Sequence, residues 1–167
     1  MEKNKKLIDD LVNLVQLDID AILAYNQAID GVEEDDIRQN LASFRADHDR
    51  HVSDLSGAIT QLGGTPPSME RDFKGFFIEG MTAIAGKAGT RSALMAMAGN
   101  EALTNARYQA AQSYEAPDAV RQILQSSLAD EQRHIRYIRQ TLAEKFGVAD
   151  TGDATKTGAA GEAGMNA

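Results

Sequence analysis

Apolar side chains recur at helical period in four stretches of the chain. Over 4–31 they fall at Leu7, Leu11, Leu14, Val15, Ile22, Tyr25 and Ile29, and over 36–62 at Ile37, Leu41, Phe44, Leu55, Ile59 and Leu62. Over 91–115 they fall at Leu94, Met97, Leu103 and Tyr108, and over 118–146 at Val120, Leu124, Leu128, Ile135, Ile138 and Leu142. Such spacing gives each stretch one apolar face as a helix. The breaks carry stop and start signals. Gly31 precedes Glu33-Glu34-Asp35-Asp36, an acidic run suited to the first turn of a helix. Gly63-Gly64-Thr65-Pro66-Pro67 stops the second stretch, and Pro117 opens the fourth. Residues 68–89 are less regular; Phe73, Phe76, Phe77, Ile78, Met81 and Ile84 predict a short helix inside a long crossover. Short outer turns around a long middle connection predict an all-α four-helix bundle of two antiparallel hairpins.

The apolar stripes are interrupted by ionisable residues. The stripe of the first helix steps through 11, 15, 18, 22, 25 and 29 and so contains Asp18. The second contains His48 and His51, the third Glu101, and the fourth Glu131 and His134. Six such side chains stand where a bundle helix normally carries Leu or Ile. Burying carboxylates together is costly unless a cation compensates. The levels agree as well: Asp18 and His48 each lie about 18–20 Å along their helices from the first turn, at about 1.5 Å per residue, and Glu101 and Glu131 match them in the second hairpin.

The same residues repeat at a fixed offset of 83 positions. Ala46-Asp47-His48-Asp49-Arg50-His51-Val52 lies over Ala129-Asp130-Glu131-Gln132-Arg133-His134-Ile135, Asp18 over Glu101, and Tyr25 over Tyr108. Across 18–55, 11 of 38 aligned pairs are identical without a gap, which reads as one supersecondary unit used twice. Any one of these residues alone has a plain reading: an x-x-x-His pair on a helix is common, and a stripe tyrosine is ordinary packing. Shared face, level and spacing in both halves make the conjunction a candidate metal site.

Composition narrows the remaining classes. The 167 residues suffice for one domain with a real core. There is no Cys, which excludes disulfides and thiolate ligands. A net charge of −8 argues against nucleic acid and against a membrane surface as partners. No apolar run is long enough for a membrane span, and Asp9 and Asp10 spoil a signal peptide, so the expected location is the cytoplasm. Residues 147–167 are rich in Gly, Ala, Thr and Asp and are expected to form a disordered tail beyond a 1–146 bundle.

With these residues in place the chain resembles the ferritin-like superfamily, the di-iron carboxylate bundles related to rubrerythrin and bacterioferritin. Asp130-Glu131-Gln132-Arg133-His134 resembles their Asp-Glu-x-Arg-His motif, and Asp18-x6-Tyr25 and Glu101-x6-Tyr108 resemble their Glu-x6-Tyr pattern. The resemblance spans about residues 4–146, and its crossover resembles that of an uncharacterised bacterial ferritin-like branch. It implies Asp18 and Glu101 as terminal carboxylates, Glu131 as a bridging carboxylate, and His51 and His134 as terminal nitrogen ligands. Asp47 and Asp130 would orient the opposing histidines, Arg50 and Arg133 would balance those aspartates, and Tyr25 and Tyr108 would bound the cavity or serve as redox neighbours. Two positions depart from the pattern. Asp18 is one methylene short of Glu, and His48 stands where a second bridging Glu is expected, with Asp47 as its possible substitute.

The function expected from the resemblance is a di-iron protein that reacts with peroxide or dioxygen, or that oxidises ferrous iron during oxidative stress, as a peroxidase- or ferroxidase-like oxidoreductase. Two iron ions are expected, with a single ion, zinc or manganese as the other options, and a homodimer is admitted. The alternative reading is a non-catalytic bundle, either stapled by one zinc or iron ion or free of metal, in a structural or stress role.

Overall fold

The computed structural model describes residues 2–68 and 89–149. Four helices account for most of them: α1 (Glu2–Gly31), α2 (Asp35–Gln61), α3 (Gly89–Ala111) and α4 (Asp118–Phe146). The short crossover helix expected within 68–89, and the tail from residue 150 onward, lie outside the described residues. Among the described residues no helix is long and apolar enough to cross a membrane.

Local chemistry explains where the helices begin and end. Asp35 and Asp36 occupy the first turn of α2, where negative charge meets the positive end of the helix dipole. Arg38 pairs with Asp35 and also donates to the Val32 carbonyl at 2.7 Å, closing the α1–α2 turn. The second hairpin repeats the device: Arg121 pairs with Asp118 and reaches the carbonyl of Ala116. At the end of α2, Gly63 takes a φ of 84°, and the Gly64 amide returns to the Ile59 carbonyl at 2.9 Å. Gly64 is there for closeness: a Cβ would meet Ile8 Cγ2 at 2.6 Å and Ile59 Cγ2 at 2.9 Å. Gly147 (φ 63°) caps α4, and Val148 packs back onto the core. The third helix ends earlier than its period suggests, at Ala111 rather than near 115. Gln112, Ser113 and Tyr114 bond three residues back, so the helix tightens and unwinds before Pro117.

Helix α1 packs on α2 and α3, and α4 packs on α3 and α2, which leaves α1/α4 and α2/α3 diagonal. The apolar interior is divided in two. One cluster gathers around Leu11, Val15, Leu55, Ile59 and Leu124; the other gathers around Ile37, Leu41, Leu94, Met97 and Ile138. Between them lies a polar layer of six side chains, none more than 1% exposed: Asp18, His48, His51, Glu101, Glu131 and His134. The fold therefore gives up apolar packing at its centre in both hairpins at one level.

Candidate metal centre

Every ionisable residue placed on a core stripe by the sequence lies in this layer. Each helix contributes from its buried face, so no loop is needed to position a donor. The arrangement falls into two sets of four. One atom from each of Asp18, His48, His51 and Glu131 can be chosen within 4.8 Å of the others, and the same holds for His48, Glu101, Glu131 and His134. His48 and Glu131, which the offset of 83 pairs with one another, belong to both sets. His51 stands with Asp18 rather than with Glu101 and His134.

His48 is central. Its Nδ1 lies 2.8 Å from Asp18 Oδ1 and 3.6 Å from Glu131 Oε1, and its Nε2 lies 3.4 Å from Glu101 Oε1. His51 turns Nδ1 inward, 3.5 Å from Asp18 Oδ1 and 3.3 Å from Glu131 Oε1. His134 likewise turns Nδ1 inward, 3.6 Å from Glu101 Oε2. The outward nitrogens are held from the other hairpin. His51 Nε2 meets Asp130 Oδ2 at 3.2 Å, and His134 Nε2 meets Asp47 Oδ2 at 3.0 Å. A hydrogen on Nε2, donated to aspartate, leaves Nδ1 facing inward, with a free lone pair whenever the ring is neutral.

Arg50 and Arg133 complete a ring around those aspartates. Arg50 donates to Asp47 at 2.8 Å and also pairs with Asp130; Arg133 donates to Asp130 at 2.9 Å and also pairs with Asp47. Asp47 is thus engaged by Arg50, Arg133 and His134 and stands in neither donor set, whereas His48 stands in both. The tyrosines also cross between hairpins. Tyr25 OH donates to Glu101 Oε1, and Tyr108 OH donates to Asp18 Oδ2 at 2.6 Å. Their hydroxyls are therefore satisfied by the inner carboxylates themselves, not locally. Each of these contacts recurs at n + 83, so the two hairpins are related by a pseudo-twofold at this level.

Several neighbours carried no signal as site residues. Asn105 donates to the Glu131 carbonyl at 2.8 Å and to the Glu101 carbonyl at 3.0 Å, tying α3 to α4 beside the layer. Phe44 stacks on the His134 ring at 4.4 Å. Its repeat partner is Ser127, also buried, so His51 lacks such a stack and lies against Tyr108 instead. Phe44 was legible only as core, and Asn105 and Ser127 fall where the repeat is not kept.

The electrostatics are those of a crowded anionic pocket compensated by imidazole. Burial pushes the Asp18 and Glu101 carboxyls up, but the adjacent histidines outweigh it and hold both below the usual range. Burial raises Glu131, and although His48 opposes this, the neighbouring carboxylates add to it. For His48 burial works against the proton, yet Glu131, Asp18 and Glu101 overcome it and push the ring well above its ordinary value. His51 is moved in the same way to about 9. Burial, with a carboxylate close by, keeps both tyrosine hydroxyls protonated.

The fold and this buried layer define a ferritin-like four-helix bundle. The structure of the dodecameric thioferritin from Bacteroides fragilis, described as a bacterioferritin-related protein, superposes with a TM-score of 0.72 at 19% identity, over 85% of this chain and 87% of that one. At that identity the likeness is one of fold. Residues 6–113 match the model of a domain family of unknown function, DUF2383, and the chain belongs to that family. The match spans α1 to α3 and stops short of Glu131 and His134. No curated protein matches the chain.

Proposed function

We propose that the polar layer binds metal, two iron ions by preference, and that the loaded protein reacts with peroxide or dioxygen or oxidises ferrous iron. One observation carries the metal reading. The inward Nδ1 atoms of His51 and His134, and both oxygens of Glu131, are buried without a hydrogen-bond partner. Unpaired buried polar atoms are rare and costly, and here they belong to ligand-type residues facing one another. The outward Nε2 atoms of the two histidines, by contrast, are engaged by Asp130 and Asp47, so their orphaned side is the interior one. The donor spacing fits as well. Around a four-coordinate ion with bonds of about 2.0–2.2 Å, donors stand about 3.4 Å apart, close to the 3.3–3.6 Å found around His51, Glu131, Glu101 and His134. Mixed imidazole and carboxylate donors suit iron, and also zinc and manganese.

In this reading Asp18 and His51 hold one ion, Glu101 and His134 the other, and Glu131 and His48 are common to both. Bound iron would supply the electrons for reducing an O–O bond. The chain's own residues exclude bulk water through the two apolar clusters and fix the histidines through Asp47 and Asp130. Tyr25 and Tyr108 hold their protons at the terminal carboxylates, where they are placed to donate to a reduced oxygen species. The location proposed is the cytoplasm. Self-association, as a homodimer or a larger assembly, is part of the same proposal and is read by analytical ultracentrifugation.

One contact favours the non-catalytic alternative. His48 already neutralises Asp18 at 2.8 Å, so an imidazolium can occupy the centre without metal. Metal analysis of protein purified without chelator, with an anaerobic ferrous titration of the stripped protein, separates the readings. Two iron ions per chain and consumption of peroxide support the first. One zinc ion and no turnover support a structural staple.

A further inference from the structure

His48 offers a different ring nitrogen to each donor set. Nδ1 faces Asp18 Oδ1 at 2.8 Å and Glu131 Oε1 at 3.6 Å; Nε2 faces Glu101 Oε1 at 3.4 Å, on the other side of the ring. The ring is completely buried and lies about equally far from the other two histidines, with centroids 5.5 Å from His51 and 5.4 Å from His134. It therefore sits between the two positions and not within one of them. We propose that His48 bridges two metal positions as an imidazolate, through Nδ1 and Nε2, in place of a second bridging carboxylate. The inference rests on the metal reading above and goes beyond it in naming the bridge.

Charge balance supports the assignment. Asp18, Glu101 and Glu131 supply three negative charges to the two sets. Two divalent cations require a fourth, and a neutral imidazole would leave a buried positive excess. Each bound cation displaces one ring proton of His48 to solvent; the resulting anion closes the balance, with His51 and His134 neutral. An imidazolate also holds its two ions farther apart than a carboxylate does. That agrees with Asp18 facing Nδ1 of His48 and Glu101 facing Nε2.

The test uses the full chain, stripped with chelator and loaded with copper(II), which imidazole binds well and which carries one unpaired electron. Two copper ions per chain are expected, with a low-temperature electron paramagnetic resonance signal several-fold weaker than two isolated ions give, because the bridge couples the spins. His48→Gln should bring the signal per bound copper back to full intensity. His48→Ala should do the same, and added imidazole should restore the coupling; circular dichroism checks that both variants keep their helices. Two uncoupled coppers in the wild type overturn the bridge whatever the variants do. So does a single copper per chain, or coupling that survives in His48→Gln, which would assign the bridge to Glu131. If neither copper nor iron binds, the metal reading itself falls.

Discussion

At the scale of single residues the centre is defined by which atom each side chain turns inward. Tyr108 OH is the partner of Asp18 Oδ2, and Tyr25 OH that of Glu101 Oε1. Tyr108→Phe leaves a buried carboxylate oxygen unpaired, at a cost of about 1–3 kcal/mol to the metal-free protein. Urea unfolding measures it, and an unchanged midpoint would mean that the hydroxyl is not holding the carboxylate. His51 makes the metal-free protein sensitive to pH. Its folded value of about 9 stands above the ordinary 6.5, so its contribution is complete below about 6.5 and is lost as pH rises through 9. Thermal melts of stripped protein should therefore fall between pH 6.5 and 9. A flat profile would show that the ring carries no extra proton in the fold.

Sequence legibility also has its limit at this scale. Helical period placed Asp18, His48, His51, Glu101, Glu131 and His134 on buried faces, and the 83-residue offset placed them at one level. Period and offset fix the face and height of a Cα, not a rotamer. They could not reveal that the histidines turn Nδ1 inward, or that each tyrosine reaches the carboxylate of the other hairpin. Asn105 and Phe44 escaped for a related reason: each is a common residue on a helix, and their repeat partners, Ile22 and Ser127, are of another kind.

Among elements, the α2–α4 seam is joined across its outer side by the Arg50, Asp47, Arg133 and Asp130 ring. The two arginines are half exposed, at 47% and 51%, whereas the aspartates are 11–12% exposed and also hold the histidines. The arginine contacts are therefore worth little individually, and Arg50→Ala should cost under about 1 kcal/mol. Asp130→Ala instead frees His51 Nε2 and should lower metal affinity about 10–100-fold. Competition with a chelator of known strength reads both variants. Equal losses for Arg50→Ala and Asp130→Ala would contradict this division of labour. The hairpins themselves were legible because stop signals and apolar period agreed; the largest shift is at the end of α3, where three-residue turns replace the last helical turn.

For the molecule as a whole, the polar layer separates two apolar clusters that a bundle of this size would otherwise join. A ligand that binds only the folded chain stabilises it by mass action, by about 2.7 kcal/mol at a hundredfold excess over Kd. The bundle is therefore expected to tolerate the anionic layer best when loaded, and the stripped protein should melt lower than the loaded one.

The most direct measurement is the number of ferrous ions bound per chain by the stripped protein, titrated anaerobically by calorimetry in wild type and in Glu131→Ala. Two ions in the wild type, with most of the binding lost in Glu131→Ala, is the predicted result, since Glu131 belongs to both donor sets. No saturable binding, or binding that Glu131→Ala leaves untouched, would contradict a metal centre in this layer.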